Sequence, residues 1–179
     1  MQVIVIFEAI RSAFRAHDDW NKFNQLQGKE RNIVFYSEDI HSWLYLGPVV
    51  TALSQELNRP LCYLTSAAND PILQRESRNV RAFYIGSGIV RTWAFMSLKA
   101  DVCIMTMPDL ETFHLKRSKA ANVHYVHIFH SIVSSHATYR KAAFDHFDSI
   151  LCVGPHHINE IRARESLYKL PEKRLFEHG

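Results

Sequence analysis

The feature that most constrains this chain is an alternation of six short apolar runs with amphipathic stretches, spread from position 32 to 154. The runs are NIVFYS (32–37), RPLCYLTS (59–66), VRAFYIGS (80–87), DVCIMTM (101–107), VHYVHIF (123–129) and SILCVG (149–154). Each is rich in Val, Ile, Phe, Tyr or Cys, and several lack polar alternation, as strands covered on both faces do. Helices are expected over 39–57, 70–77, 88–99, 136–147 and 156–170. Strand and helix in succession predict an α/β fold, a Rossmann-like parallel sheet with helices on both faces and right-handed crossovers.

Residues 1–30 form an expected helix and linker ahead of a domain over 31–179. Val3, Ile6, Phe7, Ile10, Ala13 and Phe14 recur at helical spacing, with Glu8, Arg11, Ser12 and Arg15 opposite. That stripe reads as domain packing. Ile4 and Val5 fall outside it, so a second apolar contact, with a membrane surface or another copy, stays open. At the other end LPEKRLFEHG leads toward a further strand with nothing to pair, which makes the chain an expected fragment of a longer parent.

Composition narrows the classes. With 47% hydrophobic and 22% charged residues the chain is too apolar for disorder, and 179 residues suffice for one compact core. A formal charge of +3 favours anionic ligands or membrane surfaces but is too slight for a nucleic-acid stripe. Cys62, Cys103 and Cys152 are odd in number, lie in apolar runs and form no CxxC pair, so they read as buried thiols of a reduced compartment. No basic leader and no apolar run of ~20 residues occurs, which gives a cytoplasmic expectation, with peripheral attachment to the inner membrane face as an addition.

In an open parallel sheet, ligands bind beyond the carboxyl ends of the strands, where helix starts expose amide donors. Small, hydroxylated and titratable residues collect there. Gly86, Ser87 and Gly88 can cradle a phosphate or serve close packing, and Arg91 can supply counter-charge or face water. Glu38 and Asp39 suit a base or hydroxyl-binding role, and Asp39 equally suits a helix N-cap. The basic run HLKRSK, with Lys116 and Arg117, is a solvated loop or an electrostatic guide toward a phosphate-rich polymer.

HYVHIFHSIVSSH, 124–136, holds four imidazoles. On a strand alternate residues share a face, and His124 and His130 would stand roughly 20 Å apart, too far to chelate one ion. No metal and no cofactor is therefore expected. His124 and His127 read as strand residues satisfied by a hydrogen bond. His130 comes last, at the ligand edge, where an imidazole can take a proton from an attacking hydroxyl. Ser131, Ser134 and Ser135 can hold a phosphate or make caps. His156 and His157 can touch a ligand or cap. A Ser–His–Asp hydrolase lacks its G-x-S-x-G elbow here.

The succession VHYVHIFHS, YRKAAFDHFDSILCVGPHHINEIRARE and LPEKRLFEHG resembles the CDP-glycerol glycerophosphotransferase family, the teichoic-acid and surface-polymer synthases of bacteria, over about residues 30–179. The family's aromatic–His–Gly–Thr motif is matched by Phe129–His130, with Ser131 and Ile132 in place of Gly and Thr. The resemblance implies the N-terminal half of a GT-B transferase, its acceptor side, with the donor-binding domain absent from this chain. It implies CDP-glycerol or another nucleotide-activated donor, a polymer or lipid-linked acceptor, and His130 as the base that activates the acceptor hydroxyl. A GT-B nucleotide-sugar glycosyltransferase and a non-catalytic phosphoglycan-binding module remain alternatives. The fragment alone is expected to be inactive.

Overall fold

The structure, a computed structural model, describes residues 2–178 and the side chains of 7–178. Strands β1 (Ile33–Ser37), β2 (Leu61–Thr65), β3 (Val80–Tyr84), β4 (Val102–Met105), β5 (His124–Ile128), β6 (Ser149–Cys152) and β7 (Arg174–Glu177) form one parallel sheet. Their order is β3-β2-β1-β4-β5-β6-β7. Each of the six apolar runs contains one strand, and the fold is the expected Rossmann-like α/β architecture. The closing strand approach does find a partner: β7 pairs with β6 from Ser149↔Arg174 to Cys152↔Glu177.

Alternation along the strands divides the core in two. Tyr36, Leu64, Met105, Tyr125 and Ile150 belong to one cluster, and Phe35, Tyr63, Ile104 and Ile128 to the other. Covering the first are α1 (Gln2–Gln25), α3 (Gly88–Met96), α5 (Pro155–Tyr168) and the segments 108–123 and 129–147 on either side of β5, whose only helix is the single turn α4 (Ser135–Thr138). The second is covered by α2 (Trp43–Thr51) and a 3-10 turn, Pro71–Gln74. Crossovers leave β1 in one direction and β4 in the other, and right-handedness puts their coverings on opposite faces. The second face is consequently thin beyond β4: Val126 and Leu151 are half-buried and Phe176 is exposed. Helices lie on both faces of the sheet, as expected, with the second face covered over β1–β3.

Two expected helices change. The 136–147 helix stops after α4, where Tyr139 turns extended at φ −102° and ψ 158°; beyond it Ala142 adopts a left-handed φ of 74° and the segment turns to bury Phe144 and Phe147. Helix α1 packs through Ala16, Trp20 and Phe23, not through the stripe read from its start. Phe7, Ile10 and Phe14 of that stripe are exposed, and Val3 and Ile6 lie outside the described side chains. Trp20 stacks on Phe23 at 4.9 Å and meets the edge of Trp93 at 6.0 Å, so α1 is part of the domain.

His127 is the oddest group in the core. It is 1% exposed, ringed by Phe129, Phe144 and Phe147 with centroids 4.8–5.2 Å away, and neither ring nitrogen has a hydrogen-bond partner. The expected satisfying hydrogen bond exists for His124, whose Nε2 lies 2.7 Å from Ser149 Oγ, but not for His127. Burial pushes the His127 pKa down to about 3, although the nearby Met107 backbone, outside hydrogen-bond geometry, favours the charged ring. Below its ordinary value of 6.5 the unfolded chain takes up a proton that the folded chain refuses, so stability falls as pH drops from 6.5 toward 3. His127→Leu is expected to flatten that dependence and to raise stability near neutral pH by about 1 kcal/mol, since it removes two unpaired polar atoms. Urea unfolding midpoints at a series of pH values check both.

Candidate functional site

The winding reverses between β1 and β4, and in open parallel sheets the ligand crevice lies at the carboxyl ends of such a pair. Ser37 ends β1 and Glu38 and Asp39 follow it, Thr106 and Met107 follow β4, and His130 stands just past β5, next door. His130 is exposed, and its ring lies against that of Tyr45 on α2, centroids 4.6 Å apart. Two strand spacings, about 10 Å, separate β1 from β5, so the Tyr45–His130 contact bridges the mouth of the crevice.

Helix α5 holds the turn that carries His130. His157 is fully buried and stacks on Phe129 at 3.9 Å. The Val153 N–H donates to its Nδ1 at 3.4 Å, which leaves the proton on Nε2 to donate to Val133 O at 2.8 Å. Burial lowers the His157 pKa, in keeping with that neutral tautomer. One turn along, Glu160 Oε2 accepts from the Ser135 N–H at 2.6 Å and from its hydroxyl at 2.5 Å. Both ends of the 129–135 turn are thereby fastened to one face of α5.

These contacts revise the serine set. Ser134 caps α4 by accepting from the Ala137 N–H at 3.4 Å, and a phosphate at Ser135 would meet the Glu160 carboxylate. Of the three, Ser131 stays half-buried directly beside His130. The sequence reading misses Glu160, although His157 and Glu160 at i, i+3 share a helix face and can be read as one clamp.

A second cluster lies at the end of β1. Arg91, 8% exposed, donates from Nη1 to Glu38 Oε1 at 2.8 Å and to Tyr36 OH at 3.1 Å. Tyr36 OH also pairs with Ser66 Oγ at 3.0 Å, and Arg91 Nε is buried without a partner. Burial pushes the Tyr36 phenol up to about 12, so it serves as a neutral hydroxyl at physiological pH. The Glu38 side chain is 41% exposed and reaches solvent from this anchored position. Its carboxylate can accept a hydrogen bond from a ligand hydroxyl.

Gly86, Ser87 and Gly88 divide between their two readings. A Cβ on Gly86 would lie 3.1 Å from Ala16 Cβ, so this residue serves the close approach of α1. Gly88, at φ +60°, faces open space, and the Ser87 side chain makes no cap, which leaves the first amides of α3 available to an anion. Asp39 Oδ1 accepts from the His41 and Ser42 N–H groups at 2.8 and 3.1 Å; it is a cap.

The basic loop goes elsewhere. Arg117 donates to His146 O and Val123 O, pairs with Asp148 at 3.0 Å and lies over the Tyr125 ring. Val123 and Asp148 immediately precede β5 and β6, so Arg117 clamps the amino edge, opposite His130. Lys116 donates to Glu111 O at 2.6 Å within the same loop. Neither stands at the carboxyl edge, and the electrostatic-guide reading is replaced by a structural one.

No family model, no curated protein and no solved structure matches this chain. The fold shows a Rossmann-like α/β domain, and the chemistry must be argued from the crevice itself. Arg91→Met is expected to cost about 2 kcal/mol, because it strips Glu38 and Tyr36 of a buried charged donor. Glu38→Gln keeps a neutral acceptor for Arg91 and should cost less. Urea titrations of both variants give the comparison.

Proposed function

We propose that the chain is the acceptor-side domain of a glycerophosphotransferase-like enzyme, transferring glycerol phosphate from CDP-glycerol to a hydroxyl of a surface polymer or its lipid-linked precursor. The observation that carries the reading is the exposed His130 ring at the carboxyl end of β5, held against Tyr45 beside the switch point. Phe129–His130 is also the pair through which the sequence resembles that family.

In this reading His130 takes the proton of the acceptor hydroxyl as its oxygen attacks the donor phosphorus. A new P–O bond forms, the P–O bond to CMP breaks, and CMP leaves with the electron pair. Such transfer depends on in-line placement more than on covalent help from the protein. Tyr45 restrains the imidazole. Glu38, held by Arg91, accepts from a second hydroxyl of the acceptor, and the amides at Gly88 receive a phosphate of the polymer. The donor would be presented by a second domain facing the crevice.

In a protein carrying both domains, His130→Ala is expected to lower transfer from labelled CDP-glycerol by ~10²–10⁴-fold while thermal unfolding stays unchanged. The 179-residue chain alone is expected to transfer nothing. An unaltered rate in the variant, or turnover by the single chain, would overturn the proposal.

A further inference from the structure

Helix α1 presents apolar side chains on two opposite faces. Ala16, Trp20 and Phe23 are buried against the sheet, whereas Phe7, Ile10 and Phe14 are 69%, 48% and 72% exposed. At about 100° per residue the two sets point nearly opposite ways. Beside the outer stripe, α3 exposes Ile89 (88%) and Trp93 (48%), with Trp93 adjoining α1 through His17 at 6.5 Å between rings. The result is one apolar plane built from two helices.

Its position is set by the direction of α1. Ser12 Oγ meets the OH of Tyr84, the last residue of β3, at 2.6 Å, and Arg15 Nη1 donates to Ala68 O, beyond the carboxyl end of β2, at 2.9 Å. Lys22 and Gln25 lie by Val80 and Arg81, where β3 begins. The helix runs antiparallel to β3, and residues 2–11 extend roughly 15 Å past the carboxyl edge.

We infer that this plane is a docking surface for the interface of an anionic lipid bilayer. Three observations favour lipid over a second copy of the chain. The five exposed side chains offer roughly 600 Å², short of the ~800 Å² per partner of a stable protein interface. Ile89 and Trp93 broaden the surface beyond the narrow seam that a pair of helices buries. The sequence from Gln2 to Phe7 carries no charge; beyond it Arg11 and Arg15 adjoin the stripe with Glu8, while Asp18 and Asp19 are paired with Lys22, so the whole helix is neutral and its cations lie nearer the apolar end. An apolar stripe flanked by arginines, with a tryptophan at its margin, suits the boundary between acyl chains and acidic headgroups. Among the described residues no helix is long and apolar enough to cross a membrane, so α1 lies on the surface. The inference stands on this plane alone and does not require the transferase reading.

Flotation of the full chain with vesicles tests it. Binding is expected to vesicles of phosphatidylcholine with about a quarter phosphatidylglycerol, and to be weaker with phosphatidylcholine alone. Phe7→Ser with Phe14→Ser should lower the bound fraction about tenfold or more. Arg11→Glu should remove the preference for anionic vesicles, and Leu167→Ser, an exposed apolar residue on α5, should change nothing. Thermal unfolding of each variant should match the parent, because these side chains are exposed. The inference fails if neither vesicle binds the parent chain, if the double phenylalanine variant binds as well as the parent, or if sedimentation velocity shows a dimer that this variant dissolves.

Discussion

Right-handed crossover is the constraint on which this molecule depends. Because β1 leads to β2 in one direction and β4 leads to β5 in the other, the coverings fall on opposite faces and the strand ends part between β1 and β4. The crevice needs no special residue to open it. What the side chains supply is its furnishing: a buried cation under Glu38 on one side, an imidazole beyond β5 on the other, and Tyr45 reaching across.

The furnishing is held by burial. Arg91 is almost wholly removed from water, so its charge is sustained by Glu38 and Tyr36 rather than by solvent, and the three groups fix each other's positions. His157 does the equivalent for the 129–135 turn without charge. Its neutral ring accepts from one strand end and donates to the turn, while its face packs on Phe129. Glu160 completes the fastening and repels anions from Ser135. An anion approaching this edge therefore meets open amides at Gly88 and a carboxylate near α4.

The strands are legible in the sequence because a strand covered on both faces needs apolar residues almost throughout, and runs this short and this apolar suit little else. Faces are harder. In α1 two stripes satisfy helical spacing, and nothing local tells which one meets the sheet; Trp20 and Phe23 decide it through volume buried against Phe83 and Trp93. The 136–147 stretch has helical composition, but Tyr139 is extended and Ala142 left-handed, so Phe144 and Phe147 reach His127 from turns that the composition does not announce. Period-2 counting alone suffices to put His130 at a strand end. It gives no help with Arg117, because a loop's composition does not reveal which edge of the sheet it returns to.

Helices that pack antiparallel to these strands begin at the carboxyl edge, so the starts of α1 and α3 point the same way as the crevice. A bilayer seated on Phe7, Phe14 and Ile89 would then lie on the face of the sheet that α1 and α3 cover, whereas His130 turns toward Tyr45 of α2 on the other. A lipid-linked acceptor would have to pass over the carboxyl edge, by the open start of α3, to meet the imidazole. The apolar plane and the imidazole thus rest on separate residues and on opposite faces of one sheet, and each can fail alone.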